Sequence, residues 1–469
     1  GDHGAGAPGY RGFLNDQCVT LGQVMRPAGY ATYAAGKWHV GDFDPTTRGF
    51  DAFYGFYGGY GINSWDPKML ARVPAGKEIK PQGAFYATDS ITDYAIDFVH
   101  EARGKKKPYL LYLAYQAPHF PLQAPKDEID AYVPMYEKGW DILRAERLVR
   151  MKQMGLIGYD TTLTPRARIP LVDLAKRVGS MTEDGNNPAW ESLSAERRAD
   201  LARRMATYAA MVTHMDTQIG RVIRDLKEAG ELDNTLVFFM SDNGACAEWE
   251  PFGFDLKAPD PAKSRSGFGV NLGTQSGSNS LHQGEALATM GGSDTFMSYG
   301  SGWANACNTP WRLYKHYGHE GGISTPLVVH WPSGIQAKGE FRNQPGHVMD
   351  IMATIAEIGG ATYPTTVDGH PILPMEGKSI VPAFGNQLIE RGLMFWEHEG
   401  NGAVRDGDVK LVKVGRRGEW ELFDLKTDRT ELNNLASKQP EKVKELAAKW
   451  DAWAVRTHVV PYPGEGKKK

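Results

Sequence analysis

The chain has 469 residues and a formal net charge of −3, from 53 Lys and Arg against 56 Asp and Glu. That balance excludes a basic nucleic-acid-binding face or a polybasic membrane patch as the organising feature. With 41% hydrophobic and 23% charged residues the composition is globular rather than disordered, and no apolar run approaches the ~18 residues that a transmembrane helix needs.

Thr20, followed by Leu21, Val24, Met25 and Ala28 with Gly29 next, predicts a short capped helix with a glycine stop, and Tyr30 to Ala34 a strand. Ile91, Tyr94, Ala95 and Phe98 keep a helical period ahead of the continuous apolar run Tyr109 to Tyr115, which predicts a strand buried on both faces. Met211, Met215, Ile219, Val222, Ile223 and Leu226 mark a longer helix ending at Gly230, before a second apolar strand, Leu236 to Met240. Leu327 to Trp331 predicts a third. Such strands, alternating with helices, indicate an α/β domain with a mainly parallel sheet covered on both sides. Met205, Met211 and Met215 are expected to pack in the core rather than form a site.

Between Pro261 and Gly302 the composition shifts to Gly, Ser, Asn and Thr, which predicts a long irregular excursion. After Phe384-Gly385-Asn386 the runs Leu393 to Trp396, Ala403 to Arg405, Lys410 to Val414 and Trp420 to Asp424 predict short strands. Val443, Leu446, Ala447, Trp450 and Trp453 then predict an amphipathic helix, and Lys467 to Lys469 a solvated tail. The expected division is therefore 1–386, an α/β domain, and 387–469, a smaller α+β domain with an antiparallel sheet and a terminal helix.

Four polar clusters stand at or just beyond strand ends, where sites assemble in open α/β sheets. Lys37 and His39 are two apart, so on a continuing strand they leave one face together, a cation beside a titratable imidazole suited to an anionic substrate. His119, between Pro118 and Pro121 and directly after a strand, has a restricted backbone. Asp242 and Asn243 offer hard oxygen ligands for Ca²⁺ or Mg²⁺, although Asp-Asn-Gly equally suits an Asx-turn, and two residues cannot complete a shell of six to eight oxygens. Lys315 gains interest only from its companions, since a single lysine is more often a solvated one. Cys18, Cys246 and Cys307 form neither a disulfide framework nor a CxxC metal pair.

Together these strings resemble the sulfatase family, of arylsulfatase type within the alkaline-phosphatase-like superfamily. The matching segments are Ala35-Gly36-Lys37-Trp38-His39-Val40-Gly41, Ala117-Pro118-His119-Phe120-Pro121-Leu122-Gln123-Ala124-Pro125, Ser241-Asp242-Asn243-Gly244-Ala245, and Asn308-Thr309-Pro310 through His319-Glu320-Gly321-Gly322. Leu422-Phe423-Asp424-Leu425 with Glu431 to Leu435 resembles the family's C-terminal signature.

The resemblance implies a sulfuric ester hydrolase. In it Asp242 and Asn243 bind calcium, favoured over magnesium, Lys37 and Lys315 hold the sulfate and the leaving-group oxygen, His119 contacts the sulfate ester, and His39 assists breakdown of the covalent intermediate. It also implies a sulfated small molecule or carbohydrate as substrate, a formylglycine-forming maturation system, no nucleic-acid partner, and a periplasmic or secreted location.

The family's nucleophile is a formylglycine made from Cys or Ser in Cys/Ser-x-Pro/Ala-x-Arg, and an adjacent Asp-Asp pair completes its metal shell. Neither occurs here: Cys18 is followed by Val19-Thr20-Leu21-Gly22, Cys246 by Ala247-Glu248-Trp249-Glu250, and Cys307 by Asn308-Thr309-Pro310-Trp311. Because the family places both features upstream of the Gly-Lys-Trp-His segment, the expectation is that formylglycine and the Asp-Asp pair belong to a preceding segment, and that the chain as given is inactive. Two alternatives stand beside sulfate-ester hydrolysis: a phosphodiester or phosphonate monoester hydrolase of the same superfamily, and an inactive protein that binds sulfated ligands.

Overall fold

The computed structural model describes residues 7–41, 43–58, 61–166, 187–248, 252–257 and 281–463. Helix α1 (Leu21–Met25) opens on a capping box in which the Thr20 side chain accepts from the Gln23 amide, while Gln23 Oε1 accepts from the Thr20 amide. Strand β1 (Ala31–Trp38) follows, then β2 (Ala52–Tyr57), β3 (Ala71–Val73), helix α2 (Ala87–Gly104) and β4 (Tyr109–Ala114). These strands form one sheet in the order β3-β2-β1-β4, with β1 parallel to both β2 and β4 and β3 antiparallel to β2.

Helices cover both faces of this sheet. Leu111 and Leu113 pack toward α2 and the long helix α5 (Ala195–Glu228), reached through α3 (Lys126–Tyr136) and α4 (Trp140–Gln153). Leu110, on the other face by strand alternation, packs with Val24 and Met25 of α1 and with Ala356 of a later helix. As the Met spacing predicts, Met205, Met211 and Met215 are core residues, beside three mutually packed indoles, Trp140, Trp190 and Trp303.

Beyond α5 the chain forms β5 (Val237–Met240), β6 (Asp255–Lys257), α6 (Gly284–Thr289), β7 (Thr295–Met297), α7 (Gly300–Cys307), α8 (Glu320–Ile323), β8 (Leu327–His330) and α9 (Asp350–Ile358). β1 is parallel to β2 and β4, as a mainly parallel sheet requires, while β5 and β8 pair with each other antiparallel, so the sheet architecture is mixed. The expectation that the apolar runs are buried on both faces is corrected: Tyr112, Phe239 and Val328 are 44%, 45% and 56% exposed. Among the described residues β4 pairs with β1 alone and β5 with β8 alone, so one flank of each strand lacks a neighbour to cover it. The excursion expected over 261–302 is also corrected in its described part, since α6, β7 and the first three residues of α7 lie in it; Phe296, Met297 and, just beyond, Trp303 are fully buried, and burial of these side chains fixes the backbone despite its Gly-rich composition. Residues 261–280 of that stretch and the Lys467 to Lys469 tail lie outside the described residues.

After β9 (Thr366–Val367), β10 (His370–Pro371) and α10 (Val381–Phe384), an antiparallel meander runs in the order β11 (Met394–His398), β12 (Asn401–Asp406), β13 (Val409–Lys413), β14 (Glu421–Asp424). Helix α11 (Pro440–Arg456) lays Leu446, Trp450 and Ala454, four residues apart, against Val404, Leu411 and Leu422 of this sheet.

Candidate functional site

β1 delivers Lys37 because Gly36 lets it run against β4. Gly36 has φ +112°, and a Cβ there would lie 1.9 Å from the Ala114 carbonyl oxygen, so no other residue allows this approach. Trp38 turns into an aromatic cluster with Phe43, Phe50 and Phe53, which leaves Lys37 on the opposite face by strand alternation. His39 follows immediately beyond the strand. Both Lys37 and His39 border a cleft of about 200 Å³ whose other walls include Leu14, Leu21, Phe50 and Tyr112. His119 and Lys315 are not in its wall, so this mostly apolar cleft is a gap beside the site rather than its binding pocket.

The turn after β5 presents Asp242 and Asn243. The Ser241 hydroxyl donates to the Asn243 carbonyl, and the Gly244 amide donates to the Gly322 carbonyl at 2.9 Å. A Cβ at Gly244 would lie 1.8 Å from the Gly321 oxygen, so the glycine permits the turn to seat on α8. Asn308 ties the two segments: its Oδ1 accepts from the Ala245 amide, and its Nδ2 donates to the Leu313 and Gly321 carbonyls. The Lys315 amide then donates to the Ala245 carbonyl at 3.0 Å. The Asp242 and Asn243 side chains make no hydrogen bond or ion pair to another described residue, leaving two adjacent hard oxygen donors available. They fit a divalent cation of the oxygen-preferring class as part of its shell.

The cationic groups converge on His119. Burial and the charges of Lys37 and Lys315 push its imidazole down to about 3, so it is neutral in the unliganded site. Its Nδ1 lies 2.7 Å from the Phe120 carbonyl, which can only accept, so Nδ1 carries the proton and Nε2 holds the lone pair. Lys315 Nζ lies 3.2 Å from Glu248 Oε1. Burial would lower the lysine, but the Glu248 carboxylate it donates to and the charge of Asp242 raise it above its usual range. Burial likewise opposes ionisation of Glu248, yet the His316 hydrogen bond and the Lys315 charge hold it down to about 2. Asp242 also acts on Tyr112 of β4, so the loop after β5 and the end of the β1–β4 pair face one another.

The structure thus brings Lys37, His119, Lys315 and Asp242 to one place, with His39 and Asn243 adjoining in sequence. Glu248 and Asn308 were missed as site residues. Glu248 carries no local signal, because a Glu six residues beyond Asp242 gains meaning only when folding buries it against Lys315; Asn308 heads a matched string, but its bonds to Ala245, Leu313 and Gly321 exist only once the chain has folded. The His319-Glu320-Gly321-Gly322 segment serves as a brace: the Lys410 ammonium sits 2.9 Å from both Glu320 and Glu431, all three fully buried, while Arg312 pairs with Glu421 at 2.9 Å. These contacts bolt the loop carrying Lys315 to the C-terminal sheet. Burial pushes the Cys246 thiol up and that of Cys307 up to about 11, which removes both as thiolate nucleophiles.

Comparison with known proteins agrees with this arrangement. The sulfatase family model matches residues 3–361, and a model described as N-sulphoglucosamine sulphohydrolase, C-terminal, matches residues 311–453. An uncharacterised sulfatase of Schizosaccharomyces pombe is 33% identical, over 98% of this chain and 81% of that protein. The arylsulfatase of Klebsiella aerogenes is 31% identical, over 81% of this chain and 76% of its own. A solved structure in complex with its substrate D-glucosamine-2-N,6-O-disulfate shares the fold at TM-score 0.55 and 19% identity, over 97% of this chain and 85% of that one. The helix-flanked mixed sheet is accordingly the alkaline-phosphatase-like fold, with the antiparallel sheet as its C-terminal part. By a family match running from residue 3 to residue 361 and by relatives aligned over most of their own length, the chain belongs to the sulfatase family.

Proposed function

We propose that the converging cations hold the sulfate group of a sulfated carbohydrate, in keeping with the sulfate-ester hydrolysis of the family. The observation that carries this reading is the pair of lysines acting on one neutral histidine: Lys37 and Lys315 both depress His119. A bound sulfate would place its negative oxygens between the two lysines that act on His119, where their attraction favours an anion. Binding the anion offsets both lysines and raises His119, which allows its ring to take up a proton and donate it toward a sulfate or leaving-group oxygen. Lys315, fixed by Glu248, opposes the charge that grows on the leaving oxygen as the S–O bond breaks. His39 stands where it can serve as a second proton-transfer group.

Asp242 and Asn243 would hold the divalent cation, for which Ca²⁺ is our choice, and such an ion lowers the cost of gathering negative oxygens in the site. The family's formylglycine supplies the attacking oxygen, and no Cys/Ser-x-Pro/Ala-x-Arg string occurs in these 469 residues. The chain as given is therefore proposed to bind sulfated ligands without turning them over by that route. Maturation by a formylglycine-forming system and a periplasmic or secreted location belong to the same proposal, as does a boundary between domains near residues 386 and 387. No described helix is long and apolar enough to cross a membrane.

The test compares sulfate, phosphate diester and phosphonate esters as ligands of this chain, and as substrates of a version extended upstream with the Asp-Asp and Cys/Ser-x-Pro/Ala-x-Arg motifs and co-expressed with the maturation system. Sulfate-selective binding and turnover support the proposal. Selective turnover of phosphodiesters, or full sulfate turnover by the chain as given, overturns it.

A further inference from the structure

One cluster of ligating side chains lies outside the six residues discussed above. His316 follows Lys315, and His398 and Glu399 lie at the β11–β12 turn, His398 being 82 residues further along the chain. His316 Nδ1 is 2.9 Å from His398 Nε2 and 3.3 Å from the Glu399 carboxylate, and one ligand atom from each residue falls within 4.8 Å of the others. We propose that His316, His398 and Glu399 form a second metal site, for a divalent ion of the zinc class, distinct from the oxygen site at Asp242 and Asn243.

Three features of the geometry support this site. First, tetrahedral zinc with bonds of about 2.0 to 2.1 Å sets neighbouring ligand atoms about 3.3 Å apart, so the observed separations need only small adjustment. Second, the far nitrogen of His316 is already committed: Nε2 lies 3.0 Å from Glu248 Oε1, the arrangement in which a buried carboxylate fixes the ring of a metal-binding histidine and leaves the other nitrogen to the metal. Third, the backbone is held in an uncommon conformation at two of the three positions. His316 has φ +83° and Glu399 φ +53°, in the left-handed region where residues with a Cβ are rare.

Glu399 and Gly400 make the two-residue turn between β11 and β12, a place that ordinarily favours Asn, Asp or Gly at its first position. A glutamate there carries a reach and a charge that the turn does not require. The His316 backbone is in turn pinned by Asn401, whose Nδ2 donates to the His316 carbonyl at 2.9 Å. Conformational cost retained at two members of one ligand cluster points to a function for the cluster. Two imidazoles and one carboxylate favour zinc, nickel or copper over calcium, whereas an Asp-Asn pair does the reverse.

The experiment uses the untagged 469-residue chain, freed of metal and titrated with Zn²⁺ alone, with Ca²⁺ as a parallel titrant. The expected result is one equivalent of Zn²⁺ that calcium does not displace, a visible absorption band when Co²⁺ is substituted, and at least tenfold weaker zinc binding in His398→Ala and in Glu399→Gln. Both variants are checked for native circular dichroism. Glu399→Gln keeps the size of an exposed turn side chain, so it reports on the site even where His398→Ala unfolds. Asp242→Asn is expected to retain the zinc equivalent. Absence of stoichiometric zinc binding, or unchanged affinity in folded Glu399→Gln, overturns the second site. Loss of the zinc equivalent in Asp242→Asn alone places zinc at the oxygen site and overturns it too. Since none of these readouts depends on sulfate, failure of the second site leaves the sulfate proposal standing.

Discussion

The meander β11 to β14 and the pair β5–β8 are built from similar apolar runs, yet their surroundings differ. In the meander, Val404, Leu411, Val412 and Phe423 are completely buried, closed on one side by α11. In the pair, Phe239 and Val328 stay about half exposed, and β4, the nearest edge of the parallel sheet, exposes Tyr112. A β-branched or aromatic side chain is buried by what packs over it, not by its own hydropathy. The difference also separates two duties. The closed sheet anchors the Lys315 loop through Arg312 and Glu320, whereas the open strands end in the Asp242 turn itself.

The largest expected effect tests the anchor. Lys410→Met leaves Glu320 and Glu431 facing each other in the interior and is expected to cost about 3–5 kcal/mol in urea unfolding. A cost below about 1 kcal/mol would mean that the closed sheet does not depend on this triad. Next comes Lys315→Ala, expected to weaken sulfate-ester turnover in an active, extended chain by about 10²–10³-fold while costing less in stability than Lys410→Met, because Glu248 keeps its hydrogen bond to His316. Lost stability with full specific activity would make Lys315 part of the anchor instead.

The pH dependence of stability sharpens the comparison further. Glu248, held down to about 2, contributes stability that is complete above the ordinary glutamate range near 4.5 and is lost as pH falls toward 2. His119, held neutral to about 3, adds a loss of the same sign, because the unfolded chain takes up its proton from about pH 6.5 downward. Stability is therefore expected to fall steadily below pH 6.5, and Glu248→Gln to flatten the part of the curve below pH 4.5. A curve unchanged by that substitution would separate Glu248 from the site's electrostatics.

Bound sulfate should raise the His119 titration, followed by NMR of its ring protons; a titration indifferent to sulfate would remove His119 from the anion site. The smallest effect is expected on the open strands. Val328→Lys should alter stability by no more than about 0.5 kcal/mol and reduce association measured by light scattering, since a charge on an exposed strand discourages edge pairing. A loss of several kcal/mol would show that the half-exposed face is covered in solution.

Much of the candidate site could be read from local pattern. Lys37, His119 and Asp242 each end or follow a strand, and strand ends are recognisable from apolar runs bounded by Gly or Pro, whereas Lys315, expected at a strand end, lies instead in the loop between α7 and α8. The terminal helix was equally legible, because Leu446 and Trp450 repeat at the helical period and stay buried as that spacing predicts. Less legible were the features that need a distant partner. Asp255–Lys257 pairs with Thr295–Met297 across a Gly- and Ser-rich stretch that local composition reads as irregular. Glu248 owes its role to Lys315 and His316, 67 and 68 residues away.

Alone, the order of residues determined that helices and apolar strands alternate, that a helix-backed set of short strands follows the α/β part, and that one cation, an imidazole and hard oxygen ligands stand at or beyond strand ends. These depend on interactions within a few residues: capping, side-chain period and turn chemistry. Only the tertiary structure decided the antiparallel pairing of β5 with β8, the exposure of their outer faces, the gathering of Lys37 and Lys315 on His119, and the meeting of His316 with His398 and Glu399. The physical reason is that burial and charge interaction depend on distance in space, and residues remote in the chain have no distance between them until the chain has packed.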